Sequence, residues 1–81
     1  MYSDHCYISQ INWFIEPPHN KISVFAQIRY NSKGSNATVI KKENNFRINF
    51  ESPQLAVTPG QSVVFYENNK LIGGGIIEIN N

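Results

Sequence analysis

The sequence predicts an all-β protein, a small closed six-stranded antiparallel barrel. Three observations carry that prediction. Short runs of strand-forming residues alternate apolar with polar at a period of two. Turn-forming residues punctuate those runs at close intervals, and no segment holds a convincing 3.6-residue pattern. Closure is favoured because a chain of 81 residues has little else with which to cover the bare edges of a sheet. An open sandwich is the fallback.

Met1 to His5 has no periodic pattern, so residues 1–6 are expected as a ragged start ahead of a single domain over residues 7–81. Tyr7 to Phe14 is the first strand, with Ile11 and Trp13 on one face and Ile8 and Phe14 on the other. Pro17-Pro18 closes it, since consecutive prolines supply no ladder donors. Lys21 to Tyr30 gives the cleanest alternation: Ile22, Val24, Ala26, Ile28 and Tyr30 against Ser23, Gln27 and Arg29, with Phe25 breaking the polar face. Asn31 to Asn36 is a polar loop, Ala37 to Lys41 a short strand and Glu43-Asn44-Asn45 a turn. Phe46, Ile48 and Phe50 then alternate with Arg47, Asn49 and Glu51, before Ser52-Pro53-Gln54 interrupts the ladder.

The stretch from Leu55 to Ile79 organises the rest. Thr58-Pro59-Gly60-Gln61 fits a type II turn, with proline at the second position and glycine at the third. Ser62 to Glu67 is a β-branched and aromatic strand, and Asn68-Asn69 suits a type I′ hairpin because asparagine tolerates the left-handed conformation. The returning strand carries Gly73-Gly74-Gly75. Three glycines invite a phosphate-loop reading, but such a loop opens a helix, and these run into Ile-Ile-Glu-Ile. They mark instead a kink, or a place where another backbone lies close, as at a barrel corner.

Composition bounds the chemistry. Cys6 is the only cysteine, so no internal disulfide forms, which points to a reducing compartment. No apolar run approaches the ~20 residues of a membrane span, and no signal peptide is visible, so a cytoplasmic location is expected. The net charge is +1, unevenly spread. Arg29, Lys33, Lys41, Lys42 and Arg47 stand against Glu43 alone, a local +4, while the remainder carries −3. This asymmetry can place a basic face on one side of the fold; ordinary solvated charges are the plain alternative.

No catalytic constellation emerges. His5 and Cys6 are adjacent, and on an extended segment neighbours point to opposite sides, so the thiol and imidazole do not meet. Cys6, His5 and His19 lack the paired spacings of structural zinc motifs, and the glutamates show no pairing. Tyr30 beside Arg29 and Phe46 beside Arg47 have the composition of a single-stranded nucleic-acid platform, yet both aromatics fall on apolar faces. The cations are better placed to contact phosphates, which position an RNA without reading it.

Ile11-Asn12-Trp13-Phe14, Ala26-Gln27-Ile28-Arg29-Tyr30, Ala37-Thr38-Val39, Pro53 to Tyr66 and Leu71 to Ile77 follow one another in an order that resembles the end of tRNA-specific 2-thiouridylases, over residues 8–79. Ala56-Val57-Thr58-Pro59-Gly60-Gln61 together with Gly73-Gly74-Gly75-Ile76-Ile77 is the specific part. The resemblance implies an enzyme that uses ATP to activate the wobble uridine of certain tRNAs and replaces its 2-oxygen with sulfur carried on cysteines. Its nucleotide loop and working cysteines belong to earlier domains, and Cys6 matches neither cysteine. What remains resembles the C-terminal barrel of that enzyme, similar to the second domain of elongation-factor-type GTPases, with the chain's last residues agreeing with a natural C-terminus.

Two functional readings follow from the resemblance. In the first, the barrel is a non-catalytic domain that helps hold tRNA; Arg29, which lies in a matching motif, and Lys33, Lys41, Lys42 and Arg47, chosen on the local charge balance, line its phosphate-facing side. In the second, it docks against the neighbouring domains of the same enzyme and touches RNA little. The implied partners are tRNA and those domains, with neither membrane nor DNA among them. No cofactor is expected in this domain, ATP being used elsewhere in the longer enzyme. A docking barrel should present a contiguous apolar patch, an RNA-holding one clustered cations, and the two can share opposite faces.

Overall fold

A computed structural model describes residues 2–28, 33–55 and 57–78. Six strands appear in chain order: β1 (Tyr2–Trp13), β2 (Lys21–Ile28), β3 (Gly34–Lys41), β4 (Phe46–Leu55), β5 (Ser62–Glu67) and β6 (Lys70–Glu78). They close into an antiparallel barrel in the order β1-β4-β3-β2-β5-β6, with β6 pairing back onto β1. Alternation sets the inside. Val24, Ala26 and Ile28 from β2, Val39 from β3, Ile48 from β4, Val63 and Phe65 from β5 and Ile72 and Ile77 from β6 are all buried in one core with Cys6 and Ile8.

The predicted turns are present. Gly60 has φ of 92° and Gln61 N–H reaches back to the Thr58 carbonyl at 3.4 Å, the geometry of a type II turn. Asn68 and Asn69 both take positive φ, 52° and 66°, as a type I′ hairpin demands.

The triple glycine is a close-approach site. A Cβ on Gly75 would lie 2.5 Å from the Gln10 carbonyl oxygen and 2.7 Å from Ile8 Cγ2, and one on Gly74 would lie 2.8 Å from the Val63 carbonyl oxygen. The backbones of β1 and β5 therefore lie against β6 where side chains would hold them off. A bulge delivers the first contact. Ile8 pairs with Ile77 and Ile11 with Gly75, so Ser9 and Gln10 together oppose Ile76 and the extra residue bends β1 onto β6.

That bulge corrects the facing expected for β1. Ile8 is fully buried, yet Ile11 and Trp13 also pack on the core, while Phe14 is 60% exposed. One inserted residue reverses the period-two pattern beyond it. Three boundaries also differ from expectation. The segment before Tyr7 is not ragged: from Tyr2 onward it belongs to β1 and pairs with Leu55, Gln54 and Asn49 of β4. Its alternation was unreadable because Tyr2 and Asp4 are exposed and supply no apolar beat. Gly34-Ser35-Asn36 is strand rather than loop, opposite Gln27, Ala26 and Phe25. Ser35 is buried, and its hydroxyl accepts the Ser52 N–H at 2.9 Å and donates to the Asn36 carbonyl at 2.8 Å. The expected break at Ser52-Pro53-Gln54 survives as an irregular register between Ser3 and His5, but β4 continues to Leu55.

Candidate nucleic-acid interface

The barrel register lays a row of outward residues across five strands: Lys21 on β2, Ile40 on β3, Arg47 on β4, Tyr7 on β1 and Glu78 on β6. The next row is Ser23, Thr38, Asn49 and His5. Alternation puts all of these outside because Val39, Ile48, Cys6 and Ile8 take the intervening inward positions.

Arg47 is held by two side-chain hydrogen bonds. Its Nε donates to Asn49 Oδ1 at 2.7 Å and Nη1 donates to the Tyr7 hydroxyl at 3.0 Å. Its guanidinium carbon lies 5.6 Å from the Tyr7 ring centroid, within range of a cation–π contact. The His5 ring meets Tyr7 edge-on at 5.9 Å. On its other side His5 Nδ1 is 2.8 Å from Asp4 Oδ1, and that hydrogen bond holds the Asp4 carboxyl below its usual value. A guanidinium has five N–H donors. Two are engaged here, which orders the side chain.

Lys41 ends β3 and Lys42 follows it, both exposed. Their backbones are pinned: Lys41 N–H donates to the Asn20 carbonyl at 2.7 Å and Lys42 N–H to the Asn45 carbonyl at 2.8 Å. The first bond ties β3's end to the residue preceding Lys21, so Lys21, Lys41, Lys42 and Arg47 gather at one rim. Glu43 follows Lys42, and Glu78 closes the outward row, its Oε1 accepting Asn45 Nδ2 at 2.8 Å. Four cations thus share this region with three carboxylates, Glu43, Glu78 and Asp4, the last close enough for Arg47 to add to His5's lowering of its pKa.

The five cations picked from sequence are not all in this cluster. Lys41, Lys42 and Arg47 come together. Lys33 precedes the eight residues of β3, so about 26 Å of extended strand separates it from Lys41. Arg29 and Tyr30 lie outside the described residues. Phe46 packs on the core, edge-on to Trp13 at 6.0 Å, as its apolar face implied. Lys21, Tyr7 and Asn49 were missed. The β2–β3 register would have found Lys21, because it pairs with Ile40 and so sits beside the end of β3.

Cys6 has no place in this surface. It is fully buried, and that burial pushes its thiol up to about 12, so it stays protonated and non-nucleophilic at neutral pH.

The model of the aminomethyltransferase β-barrel domain family matches residues 3–77. The chain belongs to that family, in the form carried at the C-terminus of tRNA-specific 2-thiouridylases. The barrel domain is 44% identical to the tRNA-specific 2-thiouridylase of Nostoc sp. over 77 residues, covering 93% of this chain and 22% of the relative. It is 45% identical to that of Prochlorococcus marinus over 89 residues, with 95% and 22% covered, and 49% identical to that of Clostridium acetobutylicum over 76 residues, with 88% and 21% covered. The chain therefore spans about a fifth of the length of these relatives. The match is confined to the C-terminal barrel part of these relatives. Among the described residues no helix is long and apolar enough to cross a membrane.

Proposed function

We propose that the barrel domain helps hold tRNA while other domains of a cytoplasmic tRNA 2-thiouridylase carry out ATP-dependent 2-thiolation of the wobble uridine. The observation supporting this most directly is the rim cluster of Lys21, Lys41, Lys42 and Arg47, with Arg47 pre-ordered by Tyr7 and Asn49. An ordered guanidinium beside flexible ammonium groups suits a sugar–phosphate backbone, where the contacts set register and orientation. Lys33, at the far end of β3, is proposed to reach a different stretch of the same RNA, and Arg29 is proposed as a further RNA contact. Nucleotide and sulfur chemistry are assigned to the remainder of the enzyme.

The test is tRNA binding by the full-length enzyme across a salt series. Changing Lys21, Lys41, Lys42 and Arg47 to serine should weaken binding and flatten the dependence of log K on log salt by about 0.7–0.9 for each phosphate no longer neutralised. Lys33→Ser and Arg29→Ser form separate arms. If affinity and slope stay as in the parent, the cluster is only solvated surface.

A further inference from the structure

The cations of β3 and β4 have an apolar counterpart centred on β6. In the strand order, β6 lies opposite β3 and β5 opposite β4. On that side Phe14 is 60%, Ile76 52% and Leu71 42% exposed. Two adjoining grooves flank Ile76, of about 690 Å³ and about 260 Å³, sharing Asn12, Gly74, Gly75 and Ile76 in their walls. Among the described residues neither groove is lined by a charged side chain. The glycines that let β1 and β5 close on β6 also leave its outer surface without side chains between Leu71 and Ile76, which makes the hollow.

We propose that this face of β5, β6 and the end of β1 is the seat on which the rest of the same 2-thiouridylase polypeptide docks, through uncharged apolar side chains. Three features select that occupant. The groove walls carry no cation among the described residues, so they offer nothing to phosphates and RNA is the poorer fit. Both edges of β6 are already bonded, to β1 and β5, so a strand cannot add here and the contact is made by side chains filling grooves. The barrel covers 22% of the Nostoc relative, leaving 78% of that chain outside it. A tethered body is present at a far higher effective concentration than a second copy, so a patch of this modest size suffices for an interdomain contact. The inference rests on membership of the family and not on tRNA holding.

Hydroxyl-radical footprinting of the 81-residue chain alone and within the full-length polypeptide tests it. Phe14, Leu71 and Ile76 should be oxidised at least about tenfold less in the full-length protein, as side chains in a dehydrated interface core are, with Tyr7 little changed. Ile76→Glu in the full-length protein should make the barrel melt as a separate transition while the salt slope of tRNA binding is retained. Equal oxidation in both contexts overturns the proposal. So does protection that grows with the concentration of the isolated chain, which marks a second copy, or protection that appears only with tRNA. Should Ile76→Glu not fold, the parent footprint still decides. Loss of the salt-slope effect of the rim variants leaves this footprint untouched, so the two readings fail separately.

Discussion

Arg47 donates to the hydroxyl of Tyr7 at 3.0 Å while its guanidinium carbon lies 5.6 Å from the same ring. Two strands far apart in sequence, β1 and β4, are thus joined on the outer surface at the position where they are also paired in register. The contact converts a floppy cation into an ordered one. Tyr7→Phe keeps the ring and removes the acceptor. It should lower stability by about 1 kcal/mol, measured by urea denaturation, and weaken tRNA binding by the full-length enzyme by less than Arg47→Ser does.

Gly75 and Gly60 are required for different reasons, and alanine separates them. At Gly75 the new methyl meets the Gln10 carbonyl and Ile8, so the β1 bulge must move or the barrel seam must open. A loss of about 3 kcal/mol, at the upper end for overpacking, is expected. At Gly60 nothing lies within 4 Å, but φ is +92°, and Gly60→Ala should cost about 1–2 kcal/mol from backbone strain alone. Chemical denaturation of the two variants should rank Gly75→Ala as the more damaging.

Cys6 should be silent toward thiol reagents in the native state at pH 8 and react fully once the chain is unfolded. Its thiol is pushed from an ordinary value of 9.0 to about 12 by burial. Between these values the unfolded chain releases the proton and the folded chain keeps it. Stability therefore falls as pH rises from about 9 towards about 12, and the group contributes no pH dependence below that window. Cys6→Ala should remove this alkaline component, which equilibrium unfolding at a series of pH values reads directly.

Trp13 closes one end of the core, stacked on Phe65 at 6.1 Å and edge-on to Phe46 at 6.0 Å, while its Nε1 is buried without an acceptor among the described residues. Trp13→Ala should cost about 3–5 kcal/mol. Trp13→Phe should cost clearly less, because it keeps an aromatic in the stack and discards the unsatisfied N–H. As the chain's sole tryptophan, Trp13 also gives a fluorescence signal that should shift to the red as the barrel opens.

Where local rules act alone, the sequence was sufficient. Asn68-Asn69 and Pro59-Gly60 announce their turns through backbone conformations few other residues accept, and Val24, Ala26 and Ile28 announce the inside of β2 by plain alternation. The three glycines were legible as a corner, though not which backbones press on them. The rest depended on partners remote in the chain. Ser35 is buried because Ser52 comes to meet its hydroxyl, and a lone polar residue beside Gly34 gives no hint of that. The bulge at Ser9-Gln10 exists only against β6, so the facing of Ile11 could not be counted out from β1. The site followed the same division. Lys41, Lys42 and Arg47 are close in sequence and in space, whereas Lys21 and Tyr7 join them only through register.

β1, the longest strand, fastens β4 on one side and β6 on the other. Unzipping it would bare two long edges at once and convert a seamless object into an open ribbon with adhesive margins. A protease nick or a destabilising change within its dozen residues should therefore show up less as a slightly loosened barrel than as clumping, with the damage scaling with protein concentration rather than with the size of the lesion.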